Sequence, residues 1–405
     1  MEAEVMEKVK QQVPSLRFSG FTGDWRKRAL GDGCEILMCK RIFADQTAES
    51  GDVPFYKIGT LGGKPDSYIS RELFEEYRER YNYPKAGETL ITCAGTVGKC
   101  VQFDGQDSYY QDSNIVWIDN PEDHAVNDFL FLLLTRIDWS KLNSTTITRI
   151  YGNDLRAFEL VVAPTLPEQQ KIAAFLGAVD RKIQQLKRKQ VLLERYKQAV
   201  MQQLLDQKLR FPGFTGDYKE YRLAQLLERY SENNKDGEFG INDILSLSSR
   251  FGIVDRKELL QDTYDNVNHL NYVKTRMNDF VYAKSISTTA PFGSFKANLC
   301  RDGLLSTLYF TFKVKELADP RFLEYYFSDT TRANNYLRKV VLVGDRYITA
   351  DSDYLLSGTV RIPSLPEQKK ITSFLMALDA KVAGVAQAVA AAQQWKKGLL
   401  QQMFV

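Results

Sequence analysis

Two stretches of the chain carry apolar residues at heptad spacing, and they give its clearest element signal. The first sets Ile172, Leu176, Val179, Ile183, Leu186, Gln190, Leu193, Lys197, Val200 and Leu204 on one helical face. The second sets Ile371, Leu375, Leu378, Val382, Val385, Val389, Ala392, Lys396, Leu399 and Met403 at the same ten positions. Pro167 and Pro366 suit a first helical turn, Glu168 and Glu367 suit the positive end of its dipole, and no later proline interrupts either run. The spacing predicts two helices of about 40 residues, each roughly 60 Å long. Shorter patterns fill the rest. Residues 53–59, 89–94 and 115–119 read as strands and 71–81 and 127–135 as helices; further on, 278–284, 306–312 and 359–361 read as strands and 320–327 and 332–339 as helices. The class is α+β.

The pattern occurs twice because the chain is an internal duplication. Leu16-Arg-Phe-Ser-Gly-Phe-Thr-Gly-Asp24-Trp25 returns as Leu209-Arg-Phe-Pro-Gly-Phe-Thr-Gly-Asp217-Tyr218, and Pro164-Thr-Leu-Pro-Glu-Gln-Gln-Lys-Ile172 returns as Pro363-Ser-Leu-Pro-Glu-Gln-Lys-Lys-Ile371. Between these ends the copies share little beyond a strand and a glycine turn, at Gly98 and Gly293. Four segments follow: a module over 1–165 whose first 12 residues are an N-terminal segment, a helix over 166–207, a second module over 208–364, and a second helix over 365–405. Helix two can bury its stripe on helix one only by running back along it, so the pair is expected to form an antiparallel coiled coil with pseudo-twofold symmetry. Lys197 and Lys396 are the polar exceptions in its seam, placed either to fix register or to reach water near a helix end.

Composition adds exclusions. The chain has 405 residues, enough for two full cores. No apolar run approaches the ~18 residues of a membrane span, and Met1 to Gln12 is charged where a signal peptide would be apolar, which places the protein in the cytoplasm. Five cysteines without a C-x-x-C pair, and two histidines, His124 and His269, offer no metal site; reduced, structural thiols are expected. A net charge of +3 says little about partners.

No catalytic constellation stands out. Ala94-Gly-Thr-Val-Gly-Lys99 has Cys93 where a phosphate loop needs its first glycine and Cys100 where it needs Ser or Thr, so it reads as a strand-to-strand turn. Asp217-Tyr-Lys219 and Asp255-Arg-Lys257 have an acid-x-lysine spacing found in nucleases, without a supporting carboxylate pair. What remains is a doubled set of turn residues able to reach base edges and phosphates. Module one offers Lys64, Thr96, Lys99, Tyr110, Gln111, Thr146 and Arg149; module two offers Lys284, Ser287, Thr288, Ser294, Lys296, Arg346 and Tyr347.

The doubled Leu-x-Phe-x-Gly-Phe-Thr-Gly-Asp lead-in and the doubled Pro-x-Leu-Pro-Glu-Gln-x-Lys-Ile helix start resemble the specificity subunit of type I restriction-modification systems, in order, over nearly the whole chain. The resemblance implies two tandem target recognition domains, each reading one half of an asymmetric bipartite site in double-stranded DNA. It implies spacer helices that set the distance between half-sites and dock two modification (methyltransferase) subunits, with restriction subunits in the full complex. The chain itself would then be non-catalytic and hold no cofactor, S-adenosylmethionine and ATP belonging to partner subunits. The alternative from another class is a two-headed coiled-coil scaffold that binds proteins.

Overall fold

The structure is a computed structural model and describes residues 13–139, 149–248, 252–259, 268–284, 290–343, 348–349 and 351–405. Compactness divides the chain inside the two long helices, not at their ends. The described residues up to Leu186 form one unit with Ala388–Val405, and Lys187–Gln387 form the other.

In chain order the first unit holds β1 (Arg26–Ala29), β2 (Glu35–Leu37), β3 (Val53–Tyr56), β4 (Tyr68–Ile69), α1 (Arg71–Arg80), β5 (Thr89–Thr92), β6 (Cys100–Gln102), β7 (Tyr109–Tyr110), β8 (Ile115–Asp119), α2 (Asn127–Leu134), α3 (Gly152–Ala157), β9 (Glu159–Val162) and the start of α4 (Leu166–Leu205). Its centre is a four-stranded sheet in the order β2-β8-β5-β6, beside a three-stranded sheet β4-β3-β7 and the antiparallel pair β1-β9. All four residues of β5 and the first four of β8 are buried because the sheet is covered on both faces. On one face Ile36, Ile91, Val116 and Ile118 join the core made by α2, Leu155, and Ile172 and Leu176 of α4. On the other Leu90, Ile115 and Trp117 join Val53, Phe55, Phe74 and Tyr109.

The second unit holds β10 (Lys219–Arg222), α5 (Leu223–Leu226), β11 (Leu227–Tyr230), β12 (Leu245–Ser248), β13 (Gly252–Asp255), α6 (Arg256–Leu259), β14 (Val273–Thr275), β15 (Phe280–Ala283), β16 (Ser294–Ala297), β17 (Gly303–Leu305), β18 (Tyr309–Val314), α7 (Pro320–Ser328), α8 (Thr330–Val340), β19 (Leu342–Val343), β20 (Ile348–Thr349), α9 (Ser352–Ser357), β21 (Thr359–Ile362) and the start of α10 (Leu365–Gln402). Its central sheet runs β11-β18-β15-β16, the counterpart of the first strand for strand, and β10-β21 repeats β1-β9. Asp319 and Asp329 start α7 and α8 by accepting from the amides of Phe322 and Arg332, each at 2.8 Å.

Several strands are shorter than the pattern suggested, for local reasons. Strand 278–284 begins only at Phe280, because Asn278 takes a left-handed φ of 73°. Strand 306–312 begins at Tyr309, whose amide closes a turn on the Ser306 carbonyl at 3.1 Å. The strand at 89–94 stops at Thr92 and leads into the glycine turn, so Ala94–Lys99 does join two strands. Gly98 there has φ 79° and a Cβ would sit 2.0 Å from Trp139; Gly293, at φ 82°, would meet the Ala283 carbonyl at 2.4 Å.

The long helices follow their pattern. All ten seam positions of each are buried or half-buried. In the first unit the start of α4 (Ile172, Leu176, Val179, Ile183) shares a core with the end of α10 (Leu399) and with Met403; in the second the end of α4 (Val200, Leu204) shares one with the start of α10 (Ile371, Leu375, Leu378). This is the order that antiparallel neighbours give. Both seam lysines are paired: Lys396 meets Asp180 at 2.6 Å, and Lys197 meets Asp379. One expectation is corrected. α10 is long and apolar enough to cross a membrane by composition, with a mean hydropathy of 1.5 over its most apolar 18 residues. Runs such as Ala390-Ala391-Ala392 score as apolar with little bulk, while the bulkier Leu375, Leu378 and Leu399 are buried in protein.

Candidate nucleic-acid interface

The residues that the two copies share hold the structure together. Arg17 donates to both carboxylate oxygens of Glu168, at 2.7 and 2.8 Å, and also to the carbonyls of Gly23 and Thr22. Arg210 repeats this on Glu367, at 2.8 Å twice, and on the carbonyls of Thr215 and Gly216. Gln169 accepts from the Val126 amide at 2.9 Å and donates to the carbonyls of His124 and Ala163; Gln368 does the same with Asp319, Leu317 and Pro363. The duplicated Glu-Gln therefore clamps the lead-in loop and the segment before α2 or α7 to the long helix. Such residues stay alike whatever each module binds.

Differences gather at the loop end of each central sheet. In the first unit Lys99 Nζ donates to the Leu61 carbonyl at 2.5 Å, the Ile150 amide to Cys93 at 2.9 Å, the Cys93 amide to Asn114 at 2.7 Å, and Arg149 to the Ser113 carbonyl at 3.3 Å. These bonds draw together the turns that carry Lys64, Thr96, Lys99, Gln111 and Arg149. Lys64, Thr96 and Lys99 are exposed; Gln111 and Arg149 are half-buried. Tyr110 is a correction: it is 4% exposed, stacked on Tyr56, and its hydroxyl is 2.7 Å from that of Ser108, so it belongs to the core. Burial pushes its hydroxyl well above the usual range. Thr146 lies outside the described residues. Two residues that the sequence did not single out stand here: Arg41, exposed and paired with Asp112 at 2.9 Å, and Tyr151, 62% exposed with the Arg149 guanidinium 5.8 Å from its ring centre. Nothing in their sequence context marks them.

In the second unit Lys284 and Ser294 are half-buried where β15 ends and β16 begins, Ser294 opposite Ala283. Lys296 is a second correction. Its ammonium lies 3.0 Å from Glu324 in a largely covered ion pair, so it is already neutralised within the protein. Ser287, Thr288, Arg346 and Tyr347 lie outside the described residues. The structure adds Arg229 and Phe310: Lys284 Nζ stands 3.9 Å and the Arg229 guanidinium 4.4 Å from the centre of the Phe310 ring, and Arg229 donates to Ser352 Oγ at 2.6 Å.

The remaining chemistry is structural. All five cysteines are free. Burial raises the thiols of Cys34 and Cys93 to about 11 and those of Cys39 and Cys100 to about 12, so they are protonated and unreactive near neutrality. Glu232, Asp236 and Glu238 converge as cation ligands would, but the buried ammonium of Lys274 sits among them at 2.6 to 2.8 Å. Asp255 of the acid-x-lysine triplet is taken by Arg301 at 2.7 Å.

Comparison with known proteins agrees with this architecture. The family model for the type I restriction modification DNA specificity domain matches residues 22–195. A Haemophilus influenzae protein provisionally named a type I restriction enzyme specificity subunit is 50% identical over 151 residues, 37% of this chain and 39% of that protein; the match spans about two fifths of that relative's length. The S subunit of a type I restriction-modification system from M. genitalium superposes with a TM-score of 0.60 at 14% identity, covering 97% of this chain and 99% of that one. A chain from a structure concerned with assembly and conformational transition of the type I R-M system gives 0.52 at 15% identity, over 95% and 98%. At these identities the structural likeness is one of fold. The chain is thus similar in sequence to the type I restriction modification DNA specificity domain over residues 22–195 and shares, over almost its full length, the fold of the M. genitalium S subunit.

Proposed function

We propose that this chain is the DNA-sequence-specificity subunit of a type I restriction-modification complex. Each module reads one half of an asymmetric bipartite site in double-stranded DNA, and the paired helices set the gap between the halves and dock two methyltransferase subunits. The observation that carries this reading is the contrast within the duplication. Two central sheets share one strand order and one set of helix clamps, while their loop ends present different side chains. Alike clamps suit identical partners, and unlike loop ends suit two different sequences. On this reading the chain is non-catalytic and cytoplasmic. S-adenosylmethionine and ATP are bound by the modification and restriction subunits of the complex.

Mapping methylated adenines in DNA from cells that express the methyltransferase subunit with and without this chain tests the reading. Methylation at one interrupted sequence, dependent on the chain, is expected. A pattern unaffected by the chain would defeat the proposal and favour a two-headed protein scaffold.

A further inference from the structure

The sheet registers align the two units residue by residue. Arg229 faces Phe312 across β11 and β18, as Ile36 faces Ile118 across β2 and β8, and Tyr282 faces Phe310 as Ile91 faces Val116. Lys284, Phe310 and Arg229 thus hold the positions of Cys93, Val116 and Ile36. In the first unit those three residues are buried core, at 1%, 7% and 8% exposure. In the second, the same positions carry an exposed arginine and a half-buried lysine on one half-buried aromatic ring.

Two cations on one ring repel each other, and burial together with Arg229 lowers the Lys284 ammonium below its usual range. No carboxylate is hydrogen-bonded to either among the described residues. Asp351, which feels the charge of Arg229, is committed to capping α9 through the amides of Asp353 and Tyr354 at 2.8 and 3.0 Å. The Ser352 hydroxyl fixes the guanidinium without neutralising it. The unit therefore keeps two oriented positive charges at the loop end of its sheet where its twin needs only packing.

We propose that Arg229, Lys284 and Phe310 form an oxyanion site that takes one backbone phosphate of duplex DNA, and that only the second unit has it. The assignment rests on the reading of the chain as a DNA-specificity subunit. A phosphate contact fixes the orientation of a module on the duplex without carrying sequence information. The two halves would thus be anchored differently even before their bases are read.

The test uses the full chain with its methyltransferase partner and a duplex bearing the methylated sequence, with binding measured across salt concentrations. For the R229Q/K284Q double variant the slope of log K against log salt should become less negative by about 0.9, the value of one phosphate. Affinity near 100 mM salt should fall roughly tenfold, while R229K and K284R keep the wild-type slope. An unchanged slope in the double variant overturns the site. Inorganic phosphate separates the two ideas: if wild-type protein binds no duplex but phosphate raises its Tm, and not that of R229Q/K284Q, the site stands and the DNA reading falls. If neither ligand distinguishes the variant from wild type, the site is wrong.

Discussion

Arg17 and Glu168 stand 151 residues apart in the chain and meet in a two-pronged ion pair whose carboxylate is almost fully buried. Removing the arginine strands that carboxylate, so Arg17→Ala is expected to cost about 3–5 kcal/mol in denaturant unfolding. Adding Glu168→Gln should return much of it, because a neutral amide tolerates burial better; Arg210 and Glu367 should behave alike in the second unit. Glu88 gives a pH-dependent case. Burial foremost, opposed by the Lys85 amide and reinforced by neighbouring Asp119, raises its carboxyl to about 7. A raised pKa means that the folded state holds the proton more tightly, so its stabilisation is full below about 4.5 and lost as pH climbs through 7. Glu88→Gln should therefore slow hydrogen exchange at Thr89–Thr92 at pH 8 relative to wild type, by on the order of 1–3 kcal/mol, and make little difference at pH 4. At this scale the sequence was only partly legible. It displayed Arg17, Glu168 and Gln169 as repeated letters without revealing that they touch, since repetition records what is kept and not what it meets. Tyr110 and Lys296 looked available because nothing local shows that Ser108 and Glu324 have already engaged them. Arg229 lay in a short strand with no turn cue, although its twin is Ile36.

Elements were read more reliably where periodicity was long. The long helices, of 40 and 38 residues, carry ten seam positions each, and errors at single positions do not disturb the period; four-residue strands offer no such redundancy, and a left-handed Asn278 or a turn at Ser306 shifts their ends. The small pairs β12-β13 and β14-β17 were invisible for the same reason. The two seam lysines are settled by their partners: each half of the helix pair contains one Asp–Lys contact, and the two contacts relate equivalent residues, Asp180 with Asp379 and Lys197 with Lys396. Their side chains are 26–43% exposed, so solvent weakens each pair. Lys396→Asp is expected to lower stability by about 1 kcal/mol through the like charge it brings to Asp180. Reversing both residues should recover most of that, and a double-mutant cycle with no coupling would make the contact incidental.

For the whole molecule, duplication is the property from which function follows. On the proposed reading a chain that reads one sequence needs one module, and two modules with a common sheet order, separate cores and unlike loop ends suit two half-sites. The long helices continue through the boundary of each unit, α4 past Leu186 and α10 past Gln387. A helix is a ruler graduated at 1.5 Å per residue, and seven residues preserve the face that the seam requires. Inserting one heptad after Leu186 and another after its twin Val385 should lengthen each helix by ~10 Å, about three base pairs of rise, without turning either seam out of register. Methylated sites mapped for this variant should keep the same two half-site sequences and gain about three base pairs between them. Half-sites retained with an unchanged gap would place the ruler elsewhere in the complex, whereas insertion into one helix alone should break the pairing and abolish methylation, because the two seams would no longer match.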